Sequence, residues 1–239
     1  MKRFVAVAVT LVLIASVVGA QQSEEQQEER EPRTIEDLYL SQDIELQIIR
    51  SQALSPDREM KILALQSIRS MVEDGSLTDA NPGLFVVLES LALEGTGRTV
   101  RSEGRIINNY PEIRRQAAGV LGEVGGDEAR DVLVSILRED PEPMVLSEAI
   151  YALGSGDIDV DERTLTYVVD VLEDSNTSES PDNNLAYATL LTLDKIAEKH
   201  GGLSDPEILD AVLNVATGRY IRTVRLKALD TIDKLRGRD

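Results

Sequence analysis

"PEIRRQAAGVLGEVGG", residues 111–126, decides the fold of this chain because its spacing recurs elsewhere in the sequence. The stretch has an apolar residue at Ile113, a small residue four positions later at Ala117, and a second apolar residue at Leu121. Residues separated by four and eight positions lie on one face of an α-helix, so the spacing predicts a helix with a single apolar stripe. The opening proline and the closing pair of glycines mark its two ends.

The same spacing occurs five times along the chain. The first members lie 53, 32, 43 and 36 residues apart, at Met60, Ile113, Val145, Ala188 and Val224. An apolar-periodic segment precedes each of them: Ile35–Leu54, Leu84–Leu93, Glu128–Leu137, Glu162–Leu172 and Pro206–Val215. Each unit is therefore predicted to be a pair of helices, a first helix and a second helix, that buries its apolar face only by stacking on its neighbours. The sequence predicts an all-α fold, an α-α superhelix of about five helix pairs over residues 34–239.

Local signals at the helix ends support this division. Asp127, Asp161 and Asp205 are placed to cap first helices. The small residue at the fifth position of each unit, such as Ala117, predicts a close approach between neighbouring second helices.

The longer stretch "PEIRRQAAGVLGEVGGDEARDVLVSILREDPEP", residues 111–143, resembles a HEAT repeat of the short type that also occurs in phycobilisome-lyase-like proteins. The resemblance extends over about 200 residues and implies a HEAT-like solenoid. It also implies that Arg114, which matches a recurrent arginine of the family, bonds to the adjacent repeat. Two units depart from the pattern, because Leu146 replaces that arginine in unit three, and Thr189 and Thr192 replace arginine and alanine in unit four.

The N-terminus has the organisation of a secretory signal peptide. Lys2 and Arg3 precede an apolar run, 4–18, and a small-residue site that ends at Ala20. The apolar run is shorter than the roughly 20 residues that a membrane span needs, which favours cleavage after Ala20 over retention as an anchor. Residues 1–20 are thus predicted to be a signal peptide and residues 21–33 a disordered acidic linker. We expect an exported protein, periplasmic or extracellular, with no membrane span after cleavage.

Composition excludes several classes of partner. The chain carries 25 Lys and Arg against 43 Asp and Glu, a net charge of −18, and loss of two basic residues with the signal peptide changes this to −20. Such a field repels nucleic acid and anionic lipid, so we expect neither as a partner. The absence of cysteine means that stability in an oxidising compartment depends on packing alone.

The sequence offers no constellation for catalysis. The only histidine, His200, lies at a predicted helix end, where a capping or charge–dipole role accounts for it. Asp157, Asp159 and Asp161 resemble the start of a calcium loop, but the glycine and glutamate that complete an EF-hand are missing. We therefore expect no cofactor, no metal and no enzymatic activity.

Residues 94–110, "EGTGRTVRSEGRIINNY", lengthen the connection between units one and two. The segment and the helix after it form a basic island in an acidic chain: Arg98, Arg101, Arg105, Arg114 and Arg115. One interpretation is an extended turn whose arginines pair with nearby carboxylates at little energetic gain. The other is a docking loop for an acidic partner, because long loops in compact folds are often functional.

The resulting hypothesis is a non-catalytic scaffold or adaptor in the periplasm or envelope that binds another protein. Binding would use the 94–110 loop and a concave face of second helices that includes Gln66, Arg69, Arg115, Glu123, Glu148, Tyr151, Asp194, Lys195 and Asp230. A small-molecule-binding or lyase-like HEAT protein is the alternative, which rests on the family resemblance alone. A structural spacer is a third possibility.

Overall fold

The fold is described from a computed structural model, which covers residues 35–76, 82–155, 157–203 and 205–237, without the side chains of residues 35–43, Pro82 and Arg105. The predicted signal peptide and linker lie outside these residues. The chain divides into two units, Met1–Glu45 and Leu46–Asp239. Of the first unit, residues 35–45 are described, and they are helical. The helix stack belongs to the second unit.

Helices dominate the described residues, which form an all-α solenoid as the sequence predicts. Odd-numbered helices are first helices and even-numbered helices are second helices: α1 Ile35–Ala53, α2 Arg58–Glu73, α3 Pro82–Ala92, α4 Pro111–Val124, α5 Gly126–Glu139, α6 Pro143–Leu153, α7 Glu162–Thr177, α8 Asn183–His200, α9 Pro206–Thr217 and α10 Arg222–Leu235. Within the described ranges, none of these helices combines the length and apolar character needed to cross a membrane.

The predicted repeat template is confirmed by burial. Ile113, Ala117 and Leu121 are fully buried in α4, and the equivalent residues of the other second helices are buried as well: Ala64, Ile68, Val145, Ala149, Leu153, Thr192, Ile196, Val224, Ala228 and Ile232. Met60, which is 37 % exposed, and Ala188, which is half-buried, depart from the template. Both stand at the first position of their units, close to the start of the helix.

Capping aspartates set the start of two first helices as predicted. The carboxylate of Asp161 accepts a hydrogen bond from the backbone N–H of Thr164 (2.8 Å), and Asp205 accepts one from Glu207 (2.8 Å). The prediction for Asp127 is wrong, because α5 already begins at Gly126. Asp127 therefore lies inside the first turn of α5, where its carboxylate pairs with Arg130 instead.

Second helices approach one another most closely where small residues face each other. A Cβ atom added to Gly122 of α4 would lie 2.8 Å from Cβ of Ala152 and 3.0 Å from its Cα in α6. In unit four, Thr192 takes the place of the usual alanine and its hydroxyl donates to the Ile150 carbonyl (2.9 Å). The hydroxyl is thus satisfied within the helix contact, which explains how a polar residue is accepted at a buried position.

Candidate functional site

Ion pairs between neighbouring second helices cross the exposed side of that layer. This ion-pair ladder joins α2 to α4, α4 to α6 and α8 to α10 through Arg58 with Glu112, Arg69 with Glu123 (3.3 Å), Arg115 with Glu148 (3.1 Å) and Lys234 with Glu198 (3.2 Å). Its side chains are partly exposed, so each pair contributes at most about 1 kcal/mol. The larger consequence is electrostatic, because basic side chains neutralise many of the carboxylates on this side of the molecule.

The residues predicted to line a concave face all belong to second helices. Most of them have exposed or half-buried side chains: Gln66, Arg69, Arg115, Glu123, Glu148, Tyr151, Lys195 and Asp230. Asp194 is the exception, since it is only 4 % exposed. Its prediction as a surface residue is wrong because the position faces the neighbouring helix α10.

Asp194 is the centre of a charged cluster between α8 and α10. Its carboxylate accepts hydrogen bonds from the hydroxyl of Thr231 (2.6 Å), from Nζ of Lys234 (2.7 Å) and from Nζ of Lys227. Burial by itself would raise the pKa of Asp194, but the hydrogen bonds from the two lysines and Thr231 outweigh it and hold the pKa below its ordinary value.

This cluster is expected to contribute stability that disappears in acid. Because the pKa of Asp194 is lower in the folded than in the unfolded chain, its contribution is complete above the unfolded value of about 3.9 and is lost as the pH falls through the folded value. We expect Asp194→Asn to lower the free energy of unfolding near neutral pH and the deficit to shrink below about pH 4. Urea unfolding of the original protein and of Asp194→Asn, from neutral pH to below about pH 4, measures this deficit. A deficit that does not change with pH would contradict the assignment.

An apolar groove opens on the second-helix side between α6, α8 and α10. This tyrosine groove has a volume of about 420 Å³, and its main apolar side chains are Tyr151, Tyr187, Leu191, Ile221 and Val224. Tyr151, Tyr187 and Ile221 are 43 %, 38 % and 56 % exposed, so a large apolar surface faces solvent. Nζ of Lys195 lies 4.5 Å from the centre of the Tyr151 ring. Exposed tyrosines beside apolar side chains are typical of protein interfaces.

Arg114 does not belong to an exposed basic island, so its prediction as a partner-binding residue needs correction. It is 1 % exposed, and its guanidinium binds both carboxylate oxygens of Asp140, which directly follows α5 (2.5 and 3.1 Å). The bond to the adjacent repeat that the family resemblance implies is therefore present. Nη1 of Arg114 also donates to the Glu94 carbonyl (3.2 Å) and to Oδ1 of Asn109 (2.9 Å). The same side chain thus fixes both ends of the 94–110 loop.

The 94–110 loop contains a short β-hairpin, which was not predicted from the sequence. Strands β1 Arg101–Ser102 and β2 Arg105–Ile106 pair antiparallel around a turn in which Glu103 and Gly104 both have positive φ, 51° and 79°. Two positive φ angles match the right-handed twist of two-residue hairpins. The side chain of Asn108 closes the base, accepting from the N–H of Val100 (2.7 Å) and donating to the Arg98 carbonyl (2.6 Å).

The five predicted partner-binding arginines are therefore not equivalent. Arg98 and Arg101 are exposed on the hairpin, and neither takes part in an ion pair among the described residues. Arg115 is half-buried and belongs to the ion-pair ladder. Arg105 lies in β2, and its side chain is outside the described part of the chain. Of these five arginines, Arg98 and Arg101 are thus the ones with exposed side chains that form no ion pair among the described residues.

Lys61 forms a buried contact between repeats that was not predicted from the sequence. It occupies the same template position as Arg114, is 3 % exposed, and its Nζ pairs with the Glu94 carboxylate (2.9 Å) just after α3. Nζ also donates to the Ala53 carbonyl (2.7 Å). The signal was the alignment of Lys61 with Arg114, which implies the same bond to the next repeat in unit one.

Of the residues considered as metal ligands, Asp161 has a structural role. Asp161 caps α7, and His200 is the exposed last residue of α8. Among the described residues, no group of three or more His, Cys, Asp or Glu side chains is arranged to hold a metal ion.

Comparison with known families identifies HEAT repeats in the centre of the chain. Residues 106–180, which include the region from α4 to α7, match the family model of HEAT repeats. Together with the stacked helix pairs, this match supports a HEAT-repeat protein; it does not distinguish the phycobilisome-lyase-like type, which stays a prediction. No curated protein matches the chain significantly.

Proposed function

We propose that this protein is an exported, non-catalytic scaffold that binds another protein through the tyrosine groove and through the hairpin of the 94–110 loop. HEAT repeats generally mediate protein–protein interactions, which supports a protein partner. The proposal of export rests on the signal-like residues 1–20, and a periplasmic or extracellular location follows from it.

The observation that carries the proposal is the exposure of the tyrosine groove. Tyr151, Tyr187 and Ile221 expose apolar surface to water. Such exposure does not stabilise a folded monomer. Aromatic anchors surrounded by a polar rim are where the binding energy of protein interfaces concentrates. Ser147, Asn184 and Glu148 supply such a rim.

The hairpin adds a second contact of different chemistry. Arg98 and Arg101, whose guanidinium groups form no ion pair with the described residues, are close in sequence to the exposed apolar side chains of Val100 (40 %) and Ile106 (44 %). Guanidinium groups bind carboxylates in bidentate geometry, so this contact fits an acidic segment of the partner. Asn108 and Arg114 hold the base of the hairpin, so the hairpin has a defined shape before binding.

In-cell crosslinking with mass spectrometry in the native host tests the proposal. We expect recurrent crosslinks from Lys195, which lies beside the tyrosine groove, to one protein. The double variant Tyr187→Ala/Ile221→Ala should weaken the purified complex by about tenfold or more, because it removes two anchors. The matched control is Val86→Ala/Leu213→Ala, which removes two apolar side chains, 57 % and 48 % exposed, from first helices.

Three results separate the hypotheses. Crosslinks confined to the chain itself, at good coverage, would contradict a stable partner. Equal weakening by the groove and control variants would contradict the groove as the binding surface. Charge reversal with Arg98→Glu/Arg101→Glu is expected to weaken binding as well, and an unchanged affinity would restrict the interface to the groove.

Small-molecule binding is the second candidate, and the same groove is the observation that favours it. Its volume of about 420 Å³ is in the range of ligand pockets. However, its largest side chains are exposed, whereas ligand pockets enclose most of the ligand surface. The exposure therefore favours a protein partner over a small ligand.

A further inference from the structure

A second groove lies on the opposite layer, between the first helices α7 and α9. It has a volume of about 540 Å³ and is separate from the tyrosine groove. Its floor is apolar and is formed by Val160, Leu165, Val169, Leu203 and Ile208. Val160, Val169 and Ile208 are buried, while Leu165 and Leu203 are only half-buried and offer apolar surface to an occupant.

Carboxylates dominate the rim of this acidic groove. Five carboxylates surround it, and no lysine or arginine is among the described residues that line it: Glu162, Asp170, Glu173, Asp205 and Glu207. Within the described part of the chain, none of the five forms an ion pair. The second-helix side differs, because there the ion-pair ladder neutralises many of the carboxylates. Among the described residues that line the groove, the exposed His200 is the one basic side chain, and it forms no ion pair with the five carboxylates, so the field at the acidic groove is predominantly negative.

We infer that the acidic groove binds a cationic amphipathic segment of a partner protein, with apolar side chains on the floor and lysine or arginine side chains on the rim. The groove follows the direction of α7, along which Glu162, Thr166, Asp170 and Glu173 succeed one another at helical spacing. A segment with an apolar stripe flanked by lysine or arginine side chains would contact the apolar floor and the acidic rim at the same time. Nucleic acid and anionic lipid, being negatively charged, are repelled by the same rim.

Fluorescence anisotropy with a labelled amphipathic helix of leucine and lysine tests this inference on the purified protein. The triple variant Asp170→Asn/Glu173→Gln/Glu207→Gln is expected to raise Kd by about tenfold, and added salt should weaken binding in the same direction. The matched control, Glu73→Gln/Glu128→Gln/Glu179→Gln, changes the net charge equally at exposed carboxylates outside the groove. It should leave Kd within about twofold of the original.

Blocking the floor gives a test that does not change any charge. Thr166→Trp places an indole in the acidic groove and should also raise Kd by about tenfold. The indole would occupy the space that the apolar side chains of the peptide need. Thr217→Trp is the control, since both threonines are exposed and donate to the carbonyl four residues earlier.

Several results would overturn the inference. Equal weakening by both triple variants would show diffuse attraction to an acidic protein, and an unaffected Thr166→Trp protein would place the peptide elsewhere. Equally tight binding of the polyamine spermine would show that the apolar floor contributes nothing. Binding of the glutamate counterpart of the peptide would contradict the role of charge.

Discussion

Replacing Asp140 with alanine is expected to lower the free energy of unfolding by about 3–5 kcal/mol, because it leaves the charge of Arg114 buried without its partner. The side chains of Arg114 and Asp140 are 1 % and 0 % exposed, so the pair is shielded from bulk solvent. Asp140 also accepts a hydrogen bond from the N–H of Glu142 (2.9 Å) at the start of α6, which the alanine cannot provide. Urea or guanidinium unfolding followed by circular dichroism measures the loss.

The neighbouring residue Arg115 provides a matched control. It pairs with Glu148 in the ion-pair ladder, but its side chain is 41 % exposed, so Arg115→Ala should cost less than about 1 kcal/mol. If Asp140→Ala were no more destabilising than Arg115→Ala, the buried pair would not be a stabilising feature of the fold.

Replacing both members of the buried pair separates the effect of Arg114 on the free energy of unfolding from its effect on the 94–110 loop. In Arg114→Met/Asp140→Leu no unpaired charge remains, and most of the stability should return. The bonds from Arg114 to Glu94 and Asn109 are still lost, so backbone amides of the 94–110 loop should exchange with solvent faster than in the original protein. Unchanged exchange in the loop would show that Arg114 does not fix its ends.

Gly122→Ala is expected to be the second most damaging change, with a loss of about 1–3 kcal/mol in the free energy of unfolding. The new Cβ would lie 2.8 Å from Cβ of Ala152, and the nearby Cα atom at 3.0 Å belongs to the backbone of α6, so a helix has to move. The gain of up to about 1 kcal/mol in helix propensity offsets only part of this cost. Thermal or chemical unfolding measures the difference.

Gly119 provides the control within the same helix. A Cβ at Gly119 would first meet Oε1 of Glu148 at 3.3 Å, which is the end of a flexible side chain. Gly119→Ala should therefore leave stability unchanged or raise it by up to about 1 kcal/mol. If the two alanines had the same effect, close packing of α4 against α6 would not explain the glycine at 122.

The sequence alone was sufficient to predict the helix pairs and to place the start of each first helix within two residues. Stripes such as Ile113, Ala117 and Leu121 depend on the pitch of one helix, and the capping of α7 by Asp161 involves residues three positions apart. Such signals involve residues that are close together in the sequence, so they can be recognised without the tertiary structure. The failure at Asp127 is of the same local kind, because the helix began one residue before it.

The candidate sites depended on relations that no local pattern contains. Arg114 and Arg115 are adjacent in sequence, yet one is buried against Asp140, 26 positions later, and the other reaches the half-exposed Glu148. A single step along a helix turns a side chain by about 100°, which is enough to separate the interior from the surface.

Only the stacking of helices decided which faces remained open. Asp194 became buried because α10 covers it with Thr231, Lys227 and Lys234. The tyrosine groove and the acidic groove each lie where helices from successive units meet, and their residues are scattered over α6 to α10 in the sequence. The sequence by itself determined the repeat and its apolar stripe. The tertiary structure decided which of the described charges were paired and which were not, because pairing depends on distances between units and not on the spacing within one.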